Sequence, residues 1–278
     1  MKKLISLALV AVLGIFSLAG CGADNTDNGS AAANDDMVTV TVGATASPHA
    51  EILNALKDTL AEEGVDLVVK EYTDYVMPNT AVENGEIDAN YFQHITYMND
   101  FNAENGTHLV DAADVHYEPM GIYAGKSSDL SNIPDGASIA VPNDTTNEAR
   151  ALQLLAAQGI ITLPENSDQN VTKKDIVENP HNINIVELEA AAVPRALEDS
   201  DFAVINGNYA LAAGLTSGDG LAFEGDDSLG ATMYVNVLAV KEGNENNEAI
   251  QKLAAALTSD ECKQFIEEKY DGMVLPVF

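Results

Sequence analysis

Apolar patterns typical of strands and helices begin at Met37 and continue to the end of the chain. Residues 38–42 alternate valine with threonine, and this period of two predicts a half-buried strand. Residues 52–60 carry isoleucine and leucine at helical spacing, and Gly64 follows as the expected end of a helix. The apolar run at 65–70 predicts a second strand. A strand, a helix and a strand in this order predict a parallel pair with a right-handed crossover.

The alternation of strands and helices continues through the remaining residues. The same criteria predict further strands at 115–124, 138–141, 202–205 and 234–240, and further helices at 95–104, 145–158, 193–199 and 248–269. This order predicts an α/β fold. Two loops rich in glycine and polar residues, 125–136 and 216–230, are the expected places where the chain crosses between two lobes. Ligands of open α/β sheets bind beyond the carboxyl ends of strands, so two facing lobes would form a cleft there.

The first 20 residues have the features of a secretory signal peptide. Two lysines precede an uncharged apolar run at residues 4–18, and the motif Leu18-Ala19-Gly20-Cys21 follows. The run is shorter than the roughly 20 apolar residues of a membrane-spanning helix. Small residues directly before a cysteine resemble the bacterial lipobox, in which Cys21 becomes lipidated and forms the mature N-terminus. An ordinary cleavage site near Ala19 or Gly20 is the alternative.

Composition restricts the partners that the chain can have. Asp and Glu number 44 against 13 Lys and Arg, for a net charge of −31. Nucleic acids and anionic lipid headgroups would be repelled, so neither is an expected partner, and the acids are explained as a solvated surface. If Cys21 carries lipid, Cys262 is the single remaining cysteine, which leaves no disulfide and no cysteine-based metal site. The polar residues at 22–36 cannot bury enough apolar surface to fold, so 21–36 is expected to be a flexible tether.

The segment at residues 141–150 carries an informative polar pattern between a predicted strand and a predicted helix. Thr145 and Glu148 fit a capping box, which would start the helix at the next residue. Asn147 and Arg150 are then three residues apart on one face of its first turns. A helix N-terminus favours anions, so an arginine here indicates either a bound anion or a surface ion pair with one of the many acids.

Aromatic residues are concentrated between residues 72 and 97. Of nine tyrosines and seven phenylalanines in the chain, five lie there, beside methionine, asparagine and histidine. Such a mixture suits either ordinary core packing or an apolar pocket with a few orienting polar groups. Aromatic rings contact a thioether sulfur favourably, by about 0.3–1.5 kcal/mol, so a thioether would suit a pocket of this kind.

The sequence carries no motif of a known catalytic site. It lacks the G-x-S-x-G, S-x-x-K and H-E-x-x-H motifs and the phosphate-binding P-loop. His116 and Glu118 alternate on one face of a predicted strand and could be a metal pair. No third ligand lies at a suggestive spacing, so a hydrogen-bonded histidine is the preferred interpretation. The sequence therefore favours a binding protein without a cofactor over an enzyme.

Five motifs, taken together, resemble those of a known family. In chain order they are Val42-Gly43-Ala44-Thr45, Asp74-Tyr75-Val76-Met77-Pro78-Asn79, Asp88-Ala89-Asn90-Tyr91-Phe92-Gln93-His94, Val141-Pro142-Asn143-Asp144 and Ala203-Val204-Ile205-Asn206. The set is similar to the signatures of the NlpA/MetQ family of methionine-binding lipoproteins, from about residue 38 to the C-terminus. The resemblance implies a two-lobe periplasmic-binding-protein fold with two crossovers between the lobes and a ligand cleft between them. One lobe would comprise residues 37–124 and 231–278, and the other 125–230.

The resemblance also implies a set of ligand contacts. Arg150 would pair with the carboxylate of a bound amino acid. Asn147, Asn206 and Asn236 would form hydrogen bonds with its carboxylate and amino groups. The side-chain pocket would be walled by four residues: Tyr75, Phe92, His94 and Tyr97. Gly207, Asn208 and Tyr209 follow Asn206, at positions where other family members can have different residues. Asn208 would add a polar contact to the ligand or cap the following helix.

The expected function follows from the resemblance. It implies a monomeric, lipid-anchored protein on the extracytoplasmic face of the cell membrane that captures L-methionine or D-methionine. The methionine would pass to the permease and ATPase of an ABC importer. The alternatives are a methionine-containing dipeptide or another apolar amino acid as the ligand, a surface interaction lipoprotein without transport, and a metal-capture lipoprotein.

Overall fold

Two β-sheets with helices packed against them make up the folded part of the chain. The computed structural model describes residues 37–225 and 233–278. The predicted signal peptide, the lipidation site Cys21 and the tether at 21–36 lie outside these residues, as does the predicted lobe boundary at 230. Within the two described ranges, no helix is long and apolar enough to cross a membrane.

Strands and helices alternate along the chain, which confirms the predicted α/β fold. The strands are β1 (Val38–Ala44), β2 (Val65–Glu71), β3 (Ala89–His94), β4 (Leu109–Tyr117), β5 (Gly121–Ala124), β6 (Ser138–Pro142), β7 (Asn184–Leu188), β8 (Phe202–Ile205), β9 (Gly220–Phe223), β10 (Val235–Lys241) and β11 (Leu275–Pro276). The α-helices are α1 (Glu51–Ala55), α2 (Lys57–Glu62), α3 (Met77–Glu83), α4 (Ile95–Asn105), α5 (Thr145–Ala157), α6 (Gly207–Ala212), α7 (Glu248–Leu257) and α8 (Asp260–Tyr270). A π-helical turn, Ala46–Ala50, precedes α1.

The first sheet has the strand order β11-β4-β10-β3-β1-β2. β1 runs parallel to β2, which confirms the parallel pair predicted at its edge, and also parallel to β3. β10 is antiparallel to β3 and β4. Val40 and Val42 of β1 enter a buried core with Ile52 and Leu53 of α1. The two periodicities in the sequence therefore face each other across one layer of side chains.

The second sheet has the strand order β7-β6-β8-β5-β9. β6 runs parallel to both β7 and β8, whereas β5 is antiparallel to β8 and β9. Ile139 and Val141 of β6 share a core with Leu152 and Leu155 of α5. This packing fixes the start of α5 at the carboxyl end of β6, where ligands of α/β proteins bind.

The chain first passes between the sheets at Glu118-Pro119-Met120, which joins β4 of the first sheet to β5 of the second. The single strand predicted at 115–124 is therefore wrong, and the crossing does not lie in the loop 125–136. β5 pairs within the second sheet, although the sequence grouped it with the first lobe. Proline has no N–H for a strand ladder, and local periodicity does not show which sheet a strand joins. The chain returns to the first sheet between Phe223 of β9 and Val235 of β10. This connection includes residues 226–232, which the structure does not describe.

The helix α5 starts with Asp144 as its N-cap. The Asp144 carboxylate accepts a hydrogen bond from the backbone N–H of Asn147 at 3.1 Å. The capping box predicted for Thr145 and Glu148 is therefore wrong, because the preceding aspartate already satisfies the free N–H. Asn147 and Arg150 remain three residues apart on the inner face, and both are buried.

Two other helix predictions also need correction. The predicted helix at 248–269 is divided into α7 and α8, because the Ser259 side chain accepts a hydrogen bond from the N–H of Cys262 and starts a new helix. The predicted helix at 193–199 overlaps a longer 3₁₀ helix, Ala190–Glu198, which ends one residue earlier. Pro194 lies inside this segment and donates no backbone hydrogen bond, which disfavours a regular α-helix there.

We expect Leu53→Ala to lower the free energy of unfolding by about 2–5 kcal/mol, because Leu53 is fully buried in the first core and the change leaves a cavity. Urea denaturation followed by circular dichroism measures the loss. Val177→Ala is the control, since Val177 is 63% exposed and should change stability by less than about 0.5 kcal/mol. Equal effects of the two substitutions would contradict this description of the core.

Candidate functional site

Side chains from both lobes line one small cavity. The lobe of the first sheet contributes the end of β3 and the start of β10, and the lobe of the second sheet contributes the starts of α5 and α6. The lining residues are Tyr75, Phe92, Gln93, His94, Tyr97, Glu118, Asn147, Arg150, Asn206, Gly207, Asn208 and Asn236. All eight residues that the sequence nominated as ligand contacts are among them. Four others were not nominated: Gln93, Glu118, Gly207 and Asn208.

Arg150 is buried and holds an acidic partner within the protein. Its Nε donates to Oε1 of Glu224 at 2.8 Å, and its Nη2 donates to Oε2 of Glu224 and to the backbone oxygen of Glu118, both at 2.6 Å. The guanidinium also lies 4.4 Å from the ring centre of Tyr234. Burial alone would lower the pKa of Arg150, but the Glu224 carboxylate raises it above its ordinary value, so Arg150 stays charged. The ion pair suggested by the sequence exists, but it is buried rather than on the surface.

The second terminal nitrogen of Arg150 is available to a ligand. Among the described residues, Nη1 has no hydrogen-bond acceptor, and Arg150 lines the cavity. A guanidinium group has five N–H donors. Glu224 and Glu118 accept from three of them, which leaves the two N–H groups of Nη1. The site can therefore give an incoming carboxylate one charged donor without breaking the existing pair.

Asn147 joins the two halves of the site. Its Oδ1 accepts hydrogen bonds from His94 Nε2 at 3.1 Å and from Asn206 Nδ2 at 2.8 Å. Its Nδ2 donates to the Asp144 carboxylate at 2.8 Å. His94 belongs to the first sheet and Asn206 to the second, so this amide contacts both. The Asn147 Oδ1 and one of the two Nδ2 hydrogens are thus used within the protein, and the side chain orients Asn206.

Asn206 presents an acceptor that no described residue satisfies. Its Oδ1 is buried and has no hydrogen-bond donor within the described ranges, while its Nδ2 is held by Asn147. A buried acceptor without a partner costs about 1–3 kcal/mol. Because Asn206 also lines the cavity, this atom indicates a ligand with an N–H or O–H donor.

Three aromatic rings form the apolar wall of the cavity. Tyr75, Phe92 and Tyr97 contact one another with ring centres 5.6–6.3 Å apart. Tyr75 also donates from its hydroxyl to Asn208 Oδ1 at 2.6 Å, which joins the aromatic wall to α6 across the cleft. Asn208 therefore makes a cross-cleft contact rather than a helix cap. The aromatic residues pack against one another and also line the cavity. Both interpretations of the sequence, core packing and an apolar pocket, therefore describe them.

Three buried groups that can ligate metals meet beside the cavity. Nε2 of His116 and Nε2 of His49 lie 2.7 Å and 3.4 Å from the same oxygen, Oε1 of Glu118. His49 comes from the π-helical turn, about seventy residues before the other two in the chain, and supplies the third group that the sequence did not find. Each histidine uses its Nδ1 as well, to the hydroxyl of Thr45 for His49 and of Tyr91 for His116. The hydrogen-bonded interpretation of His116 therefore describes the observed contacts.

Gly207 makes room for Glu118. A Cβ atom at residue 207 would lie 2.8 Å from Cβ and 2.9 Å from Oε2 of Glu118, closer than side-chain atoms pack. The start of α6 can approach the Glu118 carboxylate only because residue 207 has no side chain. Among residues 207–209, where the sequence differs from other family members, position 207 thus accepts only glycine while Glu118 is present.

A model of the NlpA lipoprotein family matches residues 40–278. The chain belongs to the NlpA lipoprotein family. Its relatives include the methionine-binding lipoprotein MetQ of Bacillus subtilis, which is 39% identical over 283 residues that cover 100% of this chain and 99% of that protein. This membership confirms the resemblance found in the sequence motifs.

Solved structures support the fold of the family. A nutrient-binding protein from Burkholderia cenocepacia bound to methionine is 40% identical, with a TM-score of 0.81 over 86% of this chain and 100% of that one. A periplasmic substrate-binding protein of an ABC transporter from Coxiella burnetii is 37% identical, with a TM-score of 0.80 over 86% of this chain and 100% of that one. The two-lobe periplasmic-binding-protein fold expected for an NlpA lipoprotein is confirmed.

We expect the stability of the protein to fall as the pH drops below about 6.5. Burial lowers the pKa of His49 to about 4 and of His94 and His116 to about 3, from an ordinary 6.5. Below 6.5 the unfolded chain therefore binds protons that the folded chain excludes. The three neutral histidines make their full contribution to the free energy of unfolding above pH 6.5. This contribution is lost as the pH falls towards 4 for His49 and towards 3 for His94 and His116. Each histidine contributes a slope of about 1.4 kcal/mol per pH unit in that window.

Urea denaturation at several pH values between 7 and 4.5 measures this slope. His116→Gln should reduce it by about one proton, because glutamine does not titrate. His108→Gln is the control, since that side chain is 62% exposed. A free energy of unfolding that is constant from pH 7 to pH 4.5 would show that the three histidines are not buried as neutral groups.

Proposed function

We propose that this protein binds methionine in the cavity between its lobes and delivers it to an ABC importer. The observation that carries the proposal is the combination of polar and apolar groups in one cavity. An unsatisfied acceptor on Asn206, an available donor on Arg150 and the Glu118 carboxylate lie at one side. Aromatic rings without charge form the other. A small zwitterion with an apolar side chain matches both sides.

The charged groups of an amino acid have complementary partners in the cavity. The ligand carboxylate would accept from Nη1 of Arg150 and from Nδ2 of Asn236, whose Oδ1 is held by His49 at 3.1 Å. The ligand ammonium would donate to Oδ1 of Asn206 and to Glu118. Because Glu224 already balances the charge of Arg150, Glu118 is left to balance the ammonium. Charge-assisted hydrogen bonds of this kind are about twice as strong as neutral ones.

The aromatic wall suits an unbranched thioether side chain. Tyr75, Phe92 and Tyr97 offer ring edges and faces, and sulfur contacts with aromatic rings are favourable by about 0.3–1.5 kcal/mol. The Tyr75 hydroxyl already donates to Asn208, and the Tyr97 hydroxyl donates to the backbone oxygen of Tyr75. Neither hydroxyl therefore requires a polar partner on the side chain of the ligand. The named ligands of the relatives, methionine in MetQ of Bacillus subtilis and in the Burkholderia cenocepacia structure, support this choice.

The transport role rests on the fold and the relatives. Both lobes contribute contacts, so the ligand would favour the closed form by its greater affinity for that form. Membership in a lipoprotein family supports lipidation at Cys21, with residues 21–36 as the tether and the protein on the extracytoplasmic face of the membrane. A related substrate-binding protein of an ABC transporter supports delivery to a permease. The protein acts in this proposal as a monomeric binding protein and catalyses no reaction.

The first test is mass spectrometry of small molecules released when the purified protein is denatured. Methionine in near-stoichiometric amount is the expected result, since tight binding proteins retain their ligand through purification. A methionine-containing dipeptide or a different amino acid would change the proposed ligand but keep the binding role. Release of no small molecule, together with no calorimetric response to added methionine, would refute the proposal.

We expect Arg150→Ala to weaken methionine binding by more than tenfold, or more than about 1.4 kcal/mol, because the ligand carboxylate loses its charged donor. Isothermal titration calorimetry measures the affinity. The double variant Arg150→Ala/Glu224→Gln avoids an unpaired buried carboxylate and should show the same loss. The exposed Arg195 provides the matched control, and Arg195→Ala should bind normally. Unchanged affinity in both Arg150 variants would exclude this role for Arg150.

A further inference from the structure

His49 and His116 meet at a single oxygen of a buried carboxylate. Nε2 of His116 lies 2.7 Å and Nε2 of His49 lies 3.4 Å from Oε1 of Glu118. Both imidazole rings are fully buried, and Glu118 is 5% exposed. Two rings that reach one oxygen from two separate parts of the chain leave that oxygen little freedom to move.

The remaining ring nitrogens determine where the protons lie. Nδ1 of His49 is 2.7 Å from the Thr45 hydroxyl, and Nδ1 of His116 contacts the Tyr91 hydroxyl. If each hydroxyl donates to Nδ1, each Nε2 carries its proton. His116 then donates to Oε1 of Glu118 at 2.7 Å, and His49 donates to Oδ1 of Asn236 at 3.1 Å with Oε1 of Glu118 at 3.4 Å. Every group is then satisfied with both histidines neutral and Glu118 ionised. Burial lowers the pKa of both histidines, which keeps them neutral at physiological pH. Burial also raises the pKa of Glu118, and hydrogen bonds donated to the carboxylate oppose that shift because they favour its ionised form.

The same arrangement reaches the opposite end of the ligand site. Nε2 of His49 also lies 3.1 Å from Oδ1 of Asn236, which turns Nδ2 of Asn236 away from the histidine. Glu118 and Asn236 both line the cavity, whereas His49 and His116 lie behind them. The histidine pair thus contacts the backs of two groups that can face a zwitterion, one an anion and one a donor.

We infer that His116 is a positioning residue that holds Glu118 as a fixed anion facing the cavity, while His49 orients Asn236 beside it, so that the site selects ligands with a free α-ammonium group. The inference rests on the proposed function, because it assigns the ligand group that Glu118 meets. Neither histidine touches the ligand. The effect of His116 on affinity acts through the Glu118 carboxylate, whose Oε1 it occupies. Oε2 lies beside Gly207, a residue of the cavity lining, and the backbone N–H of Asn208 also approaches the carboxylate.

A structural role in the core and a metal centre make different predictions. A core histidine would contribute to folding, and its replacement would weaken every ligand alike. A metal centre would need the two Nε2 atoms free of protons to bind the ion, and methionine affinity would then depend on bound metal. A positioning role predicts instead that the effect vanishes when Glu118 has no charge, and that it depends on a donor at the Nε2 position.

The test compares His116→Gln with His116→Asn. Glutamine can place its amide nitrogen near the position of Nε2 and donate to Glu118, whereas asparagine reaches only the position of Nδ1. Both variants are polar and close in size, so differences in folding are small, and thermal unfolding by circular dichroism checks each one.

Isothermal titration calorimetry with L-methionine should show a loss of more than tenfold for His116→Asn and less than threefold for His116→Gln. Glu118→Gln should also lose more than tenfold. The double variant Glu118→Gln/His116→Asn should bind within twofold of Glu118→Gln alone, because the two residues act as one unit. Affinity for 4-(methylsulfanyl)butanoate, which is methionine without its ammonium group, should change by less than threefold in His116→Asn.

Several results would overturn the inference while leaving the proposed function intact. These are additive losses in the double variant, equal losses with glutamine and asparagine, equal losses for both ligands, or normal binding by Glu118→Gln. Stoichiometric zinc in the wild-type protein that is lost in His116→Asn would replace the positioning role with a metal centre. Failure of the wild-type protein to bind methionine would refute the proposed function, and the inference with it.

Discussion

A buried guanidinium needs compensation, and this need ties together distant parts of the chain. Arg150 is 3% exposed, and its partners are the Glu224 carboxylate and the backbone oxygen of Glu118. Glu118 starts the first passage between the sheets, and Glu224 follows the last strand of the second sheet. Oε2 of Glu224 also accepts from the Tyr117 hydroxyl and the Met120 N–H, both at 2.8 Å. One carboxylate therefore joins the start of α5 to the first crossing.

This ion pair defines geometry more than it adds stability. Burying two charges costs about as much as their attraction returns, but removing one partner from such a pair costs about 3–5 kcal/mol. The pair thus penalises any arrangement in which α5 and the two crossings are not together. The unsatisfied Asn206 acceptor and the Glu118 carboxylate lie in the same cavity. The polar end of the site is consequently preorganised by contacts that exist without a ligand.

Local patterns in the sequence predicted most elements but not their sheets. The valine alternation at β1 and the leucine face after it are local signals, and the parallel pairing of β1 with β2 follows from them. The apolar run 115–124 has the same local signal throughout, yet Tyr117 and Gly121 pair in different sheets. The start of α5 was misplaced because Asp144 and Thr145 are both good caps, and only the bond to the Asn147 N–H distinguishes them.

The site shows the same limit. Of the eight predicted ligand contacts, four lie within the family motifs and four were assigned by position from the same resemblance. The structure brings all eight to one cavity. Glu118 was considered only as half of a metal pair, because its partner His49 lies in a π-helical turn far away in the sequence. Arg150 could be assigned either a ligand or an acid, and the contact with Glu224 shows that one arginine can hold an acid and keep a free nitrogen. Contacts between residues far apart in the chain produce no periodic pattern in the sequence.

The close approach of Gly207 to Glu118 restricts which residues can occupy both positions in related proteins. Its Cα lies so close to the Glu118 carboxylate that a methyl group at residue 207 would overlap both Cβ and Oε2 of the acid. A relative can gain a side chain at this position only together with a shorter residue at the position of Glu118. The two positions should therefore covary across the family, and homologues in which both have changed should recognise ligands without a free amino group.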